Sequence, residues 1–317
     1  MRVTEHLLKA NETLISFEII PPKRGGDIKA LLSVLDDLVK FNPPYIDITS
    51  HAAEVLYEET ASGEFKVKVK RKRPGTLGIC ALIQNKYSID AVPHVICQGF
   101  TKEETEDFLI ELHYLGIDNL LAVRGDDSGY KKPTKFGRSI NEHAVDLVKQ
   151  IDDMNKGNYI EDTLIDAEPT NFCIGVGGYP EKHFESPNMD IDIQFAKQKI
   201  EAGAEYIVTQ MFYNNDRYYD YVEKCRAHGI EVPIIPGLKI VTNKNQVTSI
   251  PRNFYIDIPT ELAKEVTEAK PEHVVEIGVD WTAKQVEDLI NNNVPAIHFY
   301  IMQNSTPINK LMKKLNL

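Results

Sequence analysis

The 317 residues hold only four cysteines and one tryptophan, and no apolar run long enough to cross a membrane. Cys80, Cys97, Cys173 and Cys225 are scattered without a C-x-x-C pair, and the nine histidines form no H-E-x-x-H pattern. This argues against a disulfide frame, a zinc site or a bound iron–sulfur cluster; it fits reduced thiols in a cytoplasm, and no metal site is expected. The N-terminus lacks the apolar core of a signal peptide, so a cytoplasmic protein is expected. Positive charge is also short: 36 basic against 47 acidic residues give a net charge of −11. That balance speaks against a general nucleic-acid binder and favours solubility. No composition break marks a linker and no segment is of low complexity.

What is present is a rhythm of short apolar runs and helical patterns. The first run, L-I-S-F-E-I-I-P-P-K over 14–23, is rich in β-formers and stopped by Pro21-Pro22. Further strands are predicted over 45–49, 92–97, 119–123, 172–176, 206–210, 233–238 and 296–302. Helices are predicted between them. Asp27 caps one running to about Lys40, and T-K-E-E at 101–104 is a capping box for one ending near Leu115 before Gly116. Others are expected over 76–88, 141–155, 191–202 and 215–228, with helical stretches to about 291 and a short last helix. The segment 50–75 breaks the rhythm: Lys66, Lys68, Lys70, Arg71, Lys72 and Arg73 make a basic insertion, about 52–75, that reads as a solvated loop or ribbon, phosphate binding being the minority reading.

Eight strands alternating with helices predict a parallel sheet with right-handed crossovers, and a chain of this length predicts a closed (β/α)8 TIM barrel as one domain over 1–317. The competitor is an open doubly wound sheet, which the lack of a good G-x-G-x-x-G after the first strand weakens. Active sites of such barrels lie at the carboxyl ends of the strands. Glu18 stands there, then Thr49 and His51, His94 and Cys97, Arg124 and Asp126, Tyr179, Gln210, and Gln303 and Asn304. Glu18 and Gln210 are the more telling because their strands are otherwise apolar. A partly desolvated carboxyl on a rigid strand should have a raised pKa, as a general acid requires. The competing reading is a carboxylate paired with Lys or Arg outside the barrel.

Seven segments, in order and at matching strand ends, resemble the methylenetetrahydrofolate reductase family: S-F-E-I-I-P-P-K at 16–23, P-H-V-I-C at 93–97, R-G-D at 124–126, G-Y-P-E-K-H at 178–183, V-T-Q-M-F-Y at 208–213, P-G-L-K-I-V-T-N at 236–243 and H-F-Y-I-M at 298–302. The length is similar to the bacterial form, a catalytic barrel without a regulatory domain. The resemblance implies an FAD enzyme that takes electrons from NADH, or less readily NADPH. It would reduce 5,10-methylenetetrahydrofolate to 5-methyltetrahydrofolate for methionine synthesis, both substrates using one site in turn. It implies that Glu18 is the general acid, that Asp126 is an acid beside flavin and pterin, and that Gln210 meets the pterin edge. It further implies that Thr49, His94, Arg124, Gly125, Asp126, Ala144, Gly177, Tyr179, His183, Asp192 and Lys199 hold FAD, with His143 in place of a family tyrosine beside the flavin. Lys244, Phe195 and Asn304 also depart from the family pattern. Two other readings stay open: a lyase or aldolase using Lys239 as a Schiff-base amine, and a folate- or flavin-binding subunit without turnover. Monomer or homo-oligomer is left undecided.

Overall fold

The computed structural model describes the whole chain except residues 126–131 and 135. The described strands are β1 (Leu14–Ile19), β2 (Tyr45–Ile48), β3 (Glu54–Glu59), β4 (Phe65–Lys70), β5 (Asp90–Ile96), β6 (Asn119–Val123), β7 (Cys173–Gly178), β8 (Tyr206–Thr209), β9 (Ile234–Ile235), β10 (Gly237–Leu238) and β11 (Ala296–Met302). Nine of them form one sheet in the order β10-β11-β1-β2-β5-β6-β7-β8-β9, every pair parallel.

β9 and β10 are the halves of one stave, split at Pro236. Proline has no N–H for the ladder, so the strand breaks there. β9 pairs with β8 and β10 with β11, so an eight-stave barrel closes through the split stave. The break is bridged: the Pro236 carbonyl accepts the His298 N–H at 2.9 Å, and the Gly237 N–H donates to Thr209 Oγ1 at 2.9 Å. A Cβ on Gly237 would lie 2.2 Å from the Thr209 carbonyl oxygen, so only glycine fits.

Helices α1 (Val3–Lys9), α2 (Ile28–Leu38), α3 (Thr76–Tyr87), α4 (Lys102–Tyr114), α5 (Ala144–Asn155), α6 (Met189–Glu201), α7 (Asn215–Ala227), α8 (Gln246–Phe254), α9 (Thr260–Glu268), α10 (Val274–Asn291) and α11 (Thr306–Leu315) complete the chain. The expected caps are formed: Asp27 Oδ1 accepts the Lys29 N–H at 2.8 Å, and Thr101 and Glu104 exchange side-chain-to-backbone bonds at 2.9 and 3.2 Å.

Alternation along β1 sorts its side chains. Ile15, Phe17 and Ile19 pack outward with Leu31, Leu35 and Leu38 of α2 in the layer between staves and helices. Burying a ring such as Phe17 contributes about 1.5–3 kcal/mol. Leu14, Ser16 and Glu18 take the other face. Leu14 joins Tyr45, Val92, Leu121, Tyr206 and Ala296 in an apolar floor inside the barrel. The sequence reading did not anticipate α1, which seals that floor with Val3 and Leu7. The Val3 N–H donates to Asn119 Oδ1 at 2.7 Å, and Asn119 Nδ2 donates to the Met1 carbonyl at 2.9 Å.

β3 and β4 form the separate antiparallel ribbon. Its exposed Lys68–Glu58 pair and the 2.6 Å Lys72–Glu54 pair occupy the place of the basic insertion. β7 runs to Gly178, so Gly177 and Gly178 belong to the stave rather than the loop after it. No helix of the described residues is long and apolar enough to cross a membrane.

Candidate active site

Above the apolar floor the barrel interior turns polar. Register sets Glu18 of β1 opposite Asp47 of β2, and Ser16 opposite His298 of β11. His94 reaches in from β5, next to β2. His94 Nε2 lies 3.4 Å from Glu18 Oε2 and 3.6 Å from Asp47 Oδ2. His298 Nε2 lies 4.0 Å from Glu18 Oε2, and its Nδ1 is 3.9 Å from Asp47 Oδ1 and 2.9 Å from Ser16 Oγ. All five residues are buried. Tyr300, also on β11, donates its hydroxyl to the Thr209 carbonyl at 2.6 Å. Lys239, just past β10, donates to the Tyr300 carbonyl at 3.3 Å.

This cluster corrects one expectation. Burial pushes the Glu18 carboxyl up, but the His298 imidazole, the charge of His94 and the Lys239 amine together pull it lower than usual. Glu18 is therefore held ionised in the free protein rather than poised as an acid. For His94 burial opposes the charge, yet Asp47 and Glu18 outweigh it and the pKa is raised. Burial lowers the Lys239 amine, with Glu18 opposing.

A second cluster forms where β6 and β7 end. Lys199 on α6 donates to the Gly177 carbonyl at 2.6 Å. Asp192, also on α6, accepts from Ser186 Oγ at 2.7 Å and from the His183 N–H at 3.3 Å. Tyr179 and His183 meet edge to face, 4.6 Å between ring centres. Arg124 pairs with Glu185 at 2.6 Å, and His143 is near enough to help lower the Glu185 carboxyl, after Arg124 and against burial. Ala144 opens α5. Gly125 has φ +86°, a left-handed turn that suits glycine.

A family-wide comparison then decides the kinship: the methylenetetrahydrofolate reductase pattern matches residues 2–316. The chain belongs to the methylenetetrahydrofolate reductase family. It is 28% identical over its full length to "Methylenetetrahydrofolate reductase 1" of Schizosaccharomyces pombe, 49% of which is covered. It is 27% identical to "5,10-methylenetetrahydrofolate reductase" of Pectobacterium carotovorum, over 91% of this chain and 85% of that one. The chain thus spans about half the length of the fungal relatives it matches and most of the bacterial one. Among solved structures, a likeness with TM-score 0.61 and 14% identity covers 98% of this chain and 96% of the other. That one is described as an uncharacterized protein from Clostridium thermocellum that binds two copies of 5-methyl-5,6,7,8-tetrahydrofolic acid, and the likeness is one of fold.

Many of the positions that the reductase family resemblance picks out fall into these two clusters. Glu18 and His94 lie in the barrel interior. Arg124, His143, Gly177, Tyr179, His183, Asp192 and Lys199 lie around the ends of β6 and β7. Thr49 directly follows β2, its amide bonded to the Ile19 carbonyl at 3.1 Å. Gln210 follows β8 and folds back, its Oε1 accepting the Met211 N–H at 2.9 Å. Asp126 lies outside the described residues.

Other positions are not brought to the site. Cys97 packs in the helix-facing layer, where burial raises its thiol to about 12. Lys244 donates to the Thr267 carbonyl at 2.8 Å. Asn304 Oδ1 accepts the Thr306 N–H at 3.0 Å, and Phe195 is exposed. Asp47, Ser16 and His298 were missed as site residues. The available signal was Asp47 inside Y-I-D-I, a buried-strand pattern interrupted by an acid just as Glu18 interrupts its own. A cleft of about 220 Å³ beside α3 and α4 also reaches His94; it is lined by Ser50, Arg71, Thr76, Phe100 and Glu104 among others, with Arg71 5.1 Å over the Phe100 ring.

Proposed function

We propose that this chain is a flavin-dependent methylenetetrahydrofolate reductase. NADH, or NADPH, would be the donor and 5-methyltetrahydrofolate the product, the two substrates using one site in turn. The observation that carries the reading is Glu18, a carboxyl on a barrel stave with two imidazoles and an amine gathered around it, in a chain of this family.

The donor set fits FAD. The Lys199 amine is desolvated, its pKa lowered to about 8 against the pull of Asp192, so an anionic group would stabilise its charge. Thr49 Oγ1 is buried with no hydrogen-bond partner among the described residues. At Gly177 an added Cβ would meet nothing nearer than 3.7 Å, which leaves the backbone open to close approach. Thr49, His94, Arg124, Gly125, His143, Ala144, Gly177, Tyr179, His183, Asp192 and Lys199 would hold the cofactor, with Asp126 beside it. When bound, FAD supplies the hydride chemistry that links pyridine nucleotide to folate.

The chain's own part is proton delivery and orientation. The methylene bridge accepts hydride only after one of its C–N bonds opens to an iminium cation, and opening requires a proton on the departing nitrogen. Glu18 delivers that proton. The negative charge of Asp126 favours the cation. Gln210 offers both an amide donor and an acceptor for the pterin edge.

Burial lowers the Lys239 amine against the pull of Glu18, so the Schiff-base reading has a test of its own. The deciding experiment is anaerobic stopped-flow spectroscopy. The purified protein should be yellow, bleach with NADH or NADPH, and recolour with 5,10-methylenetetrahydrofolate. A colourless protein that cannot be reconstituted with FAD would reject the reading, and borohydride trapping of a carbonyl compound on Lys239 would favour the lyase.

A further inference from the structure

The geometry points to Asp47 as a positioning residue that keeps a proton beside Glu18, acting through His94 and His298. This rests on the reading of Glu18 as the proton donor.

Asp47 sits mid-stave on β2 and is 1% exposed. Neither carboxylate oxygen has a hydrogen bond among the described residues. A bare carboxylate in a barrel interior is costly unless positive charge lies close. What lies close is one imidazole per oxygen: His94 Nε2 at 3.6 Å from Oδ2 and His298 Nδ1 at 3.9 Å from Oδ1. The same two imidazoles face Glu18 Oε2 at 3.4 and 4.0 Å. Glu18, His94, Asp47 and His298 thus close a ring in which carboxylates and imidazoles alternate. Ser16 Oγ, 2.9 Å from His298 Nδ1, fixes one imidazole in place.

The ring explains how a carboxyl held ionised in the free protein can still deliver a proton. Two carboxylates paired in register on adjacent staves repel unless a cation lies between them. His94 carries the charge that separates them. When substrate binds, the departing folate nitrogen takes the proton from Glu18 Oε2 as its C–N bond breaks. Glu18 has in turn taken the proton held at His94 Nε2. One proton from solvent restores the ring, which matches the one proton consumed per folate reduced by a pyridine nucleotide.

The groups facing the ring reinforce the assignment. Tyr45 on β2, Tyr206 on β8 and Tyr300 on β11 are kept neutral by burial, with the Asp47 charge adding to the effect. Cys80 on α3 is likewise held as the thiol. Lys239 also acts on the ring: it faces Glu18, and burial weakens its charge.

Removing the Asp47 charge lowers the proton affinity of the ring. With Asp47→Asn the alkaline limb of folate-driven flavin reoxidation should move down by at least one pH unit. The rate should drop at least tenfold at pH 8 and recover near pH 6. Asp47→Glu should restore the profile, and flavin bleaching by NADH should keep its own pH dependence throughout. A profile that superimposes on wild type, or a loss of equal size at every pH, overturns the assignment. If Asp47→Asn does not fold, ¹⁵N imidazole shifts of the wild-type protein still decide: His94 must keep its proton to higher pH than a free imidazole, and a His94 that loses it at or below the free value overturns the ring. Failure of the wild-type flavin to recolour with folate would instead reject the proposed function and leave the imidazole titration standing.

Discussion

Lys199 on α6 sends its amine 2.6 Å from the carbonyl of Gly177 on β7, tying a helix to a stave at the mouth of the barrel. The bond satisfies one hydrogen of an ammonium group that has lost most of its water. Burial lowers its pKa from the usual lysine value to about 8, although Asp192 pulls the other way.

A stability prediction follows from that depressed pKa. Between about pH 8 and the ordinary lysine range near 10.4, the unfolded chain binds the proton more tightly than the folded one. Stability from this group therefore rises with pH across the window, and the desolvation cost is fully present below pH 8. Lys199→Met should gain most in Tm relative to wild type below pH 8, and the gain should shrink as pH approaches 10. The same variant should bind FAD more weakly, read by quenching of flavin fluorescence. A Tm difference independent of pH would show that the amine is solvated in the folded protein.

On the proposed function, Glu18→Gln should separate the two half-reactions. The amide cannot release a proton at neutral pH, and loss of a general acid costs on the order of 100-fold or more. NADH oxidation with an artificial acceptor should continue, while methylenetetrahydrofolate reduction falls by at least ~100-fold in steady-state assays. Folate turnover near the wild-type rate would remove Glu18 from its role.

Asn119 tests the barrel floor. Its side chain receives the Val3 N–H and donates to the Met1 carbonyl, and it is buried. Asn119→Ala leaves both partners unsatisfied, at roughly 1–3 kcal/mol. In a chain of this size the melting temperature should drop by several degrees, at about 2–4 °C per kcal/mol. Amide hydrogen exchange over residues 3–9 should quicken more than exchange in β1. Unchanged exchange there would mean that α1 is held by its apolar contacts alone.

The alternation of apolar runs and helical spacing, the Asp27 cap and the Thr101–Glu104 capping box were all legible because each depends on neighbours a few residues apart. The eight staves followed from them, as did the placing of Glu18 and His94 at the carboxyl ends. α1 was not legible: seven residues cannot hold a helix in water, and it exists because the floor of Tyr45, Val92 and Ala296 accepts Val3 and Leu7. The split at Pro236 could be suspected from the proline, but closure of the barrel through it could not. The ring around Glu18 depends on that closure, since Ser16 and His298 stand 282 positions apart in the chain. Sequence alone therefore determined that an acid would end the first stave. Tertiary structure decided its charge, because the sign of the Glu18 shift is a contest between burial and imidazoles brought in from two other staves, and no local pattern records which side wins.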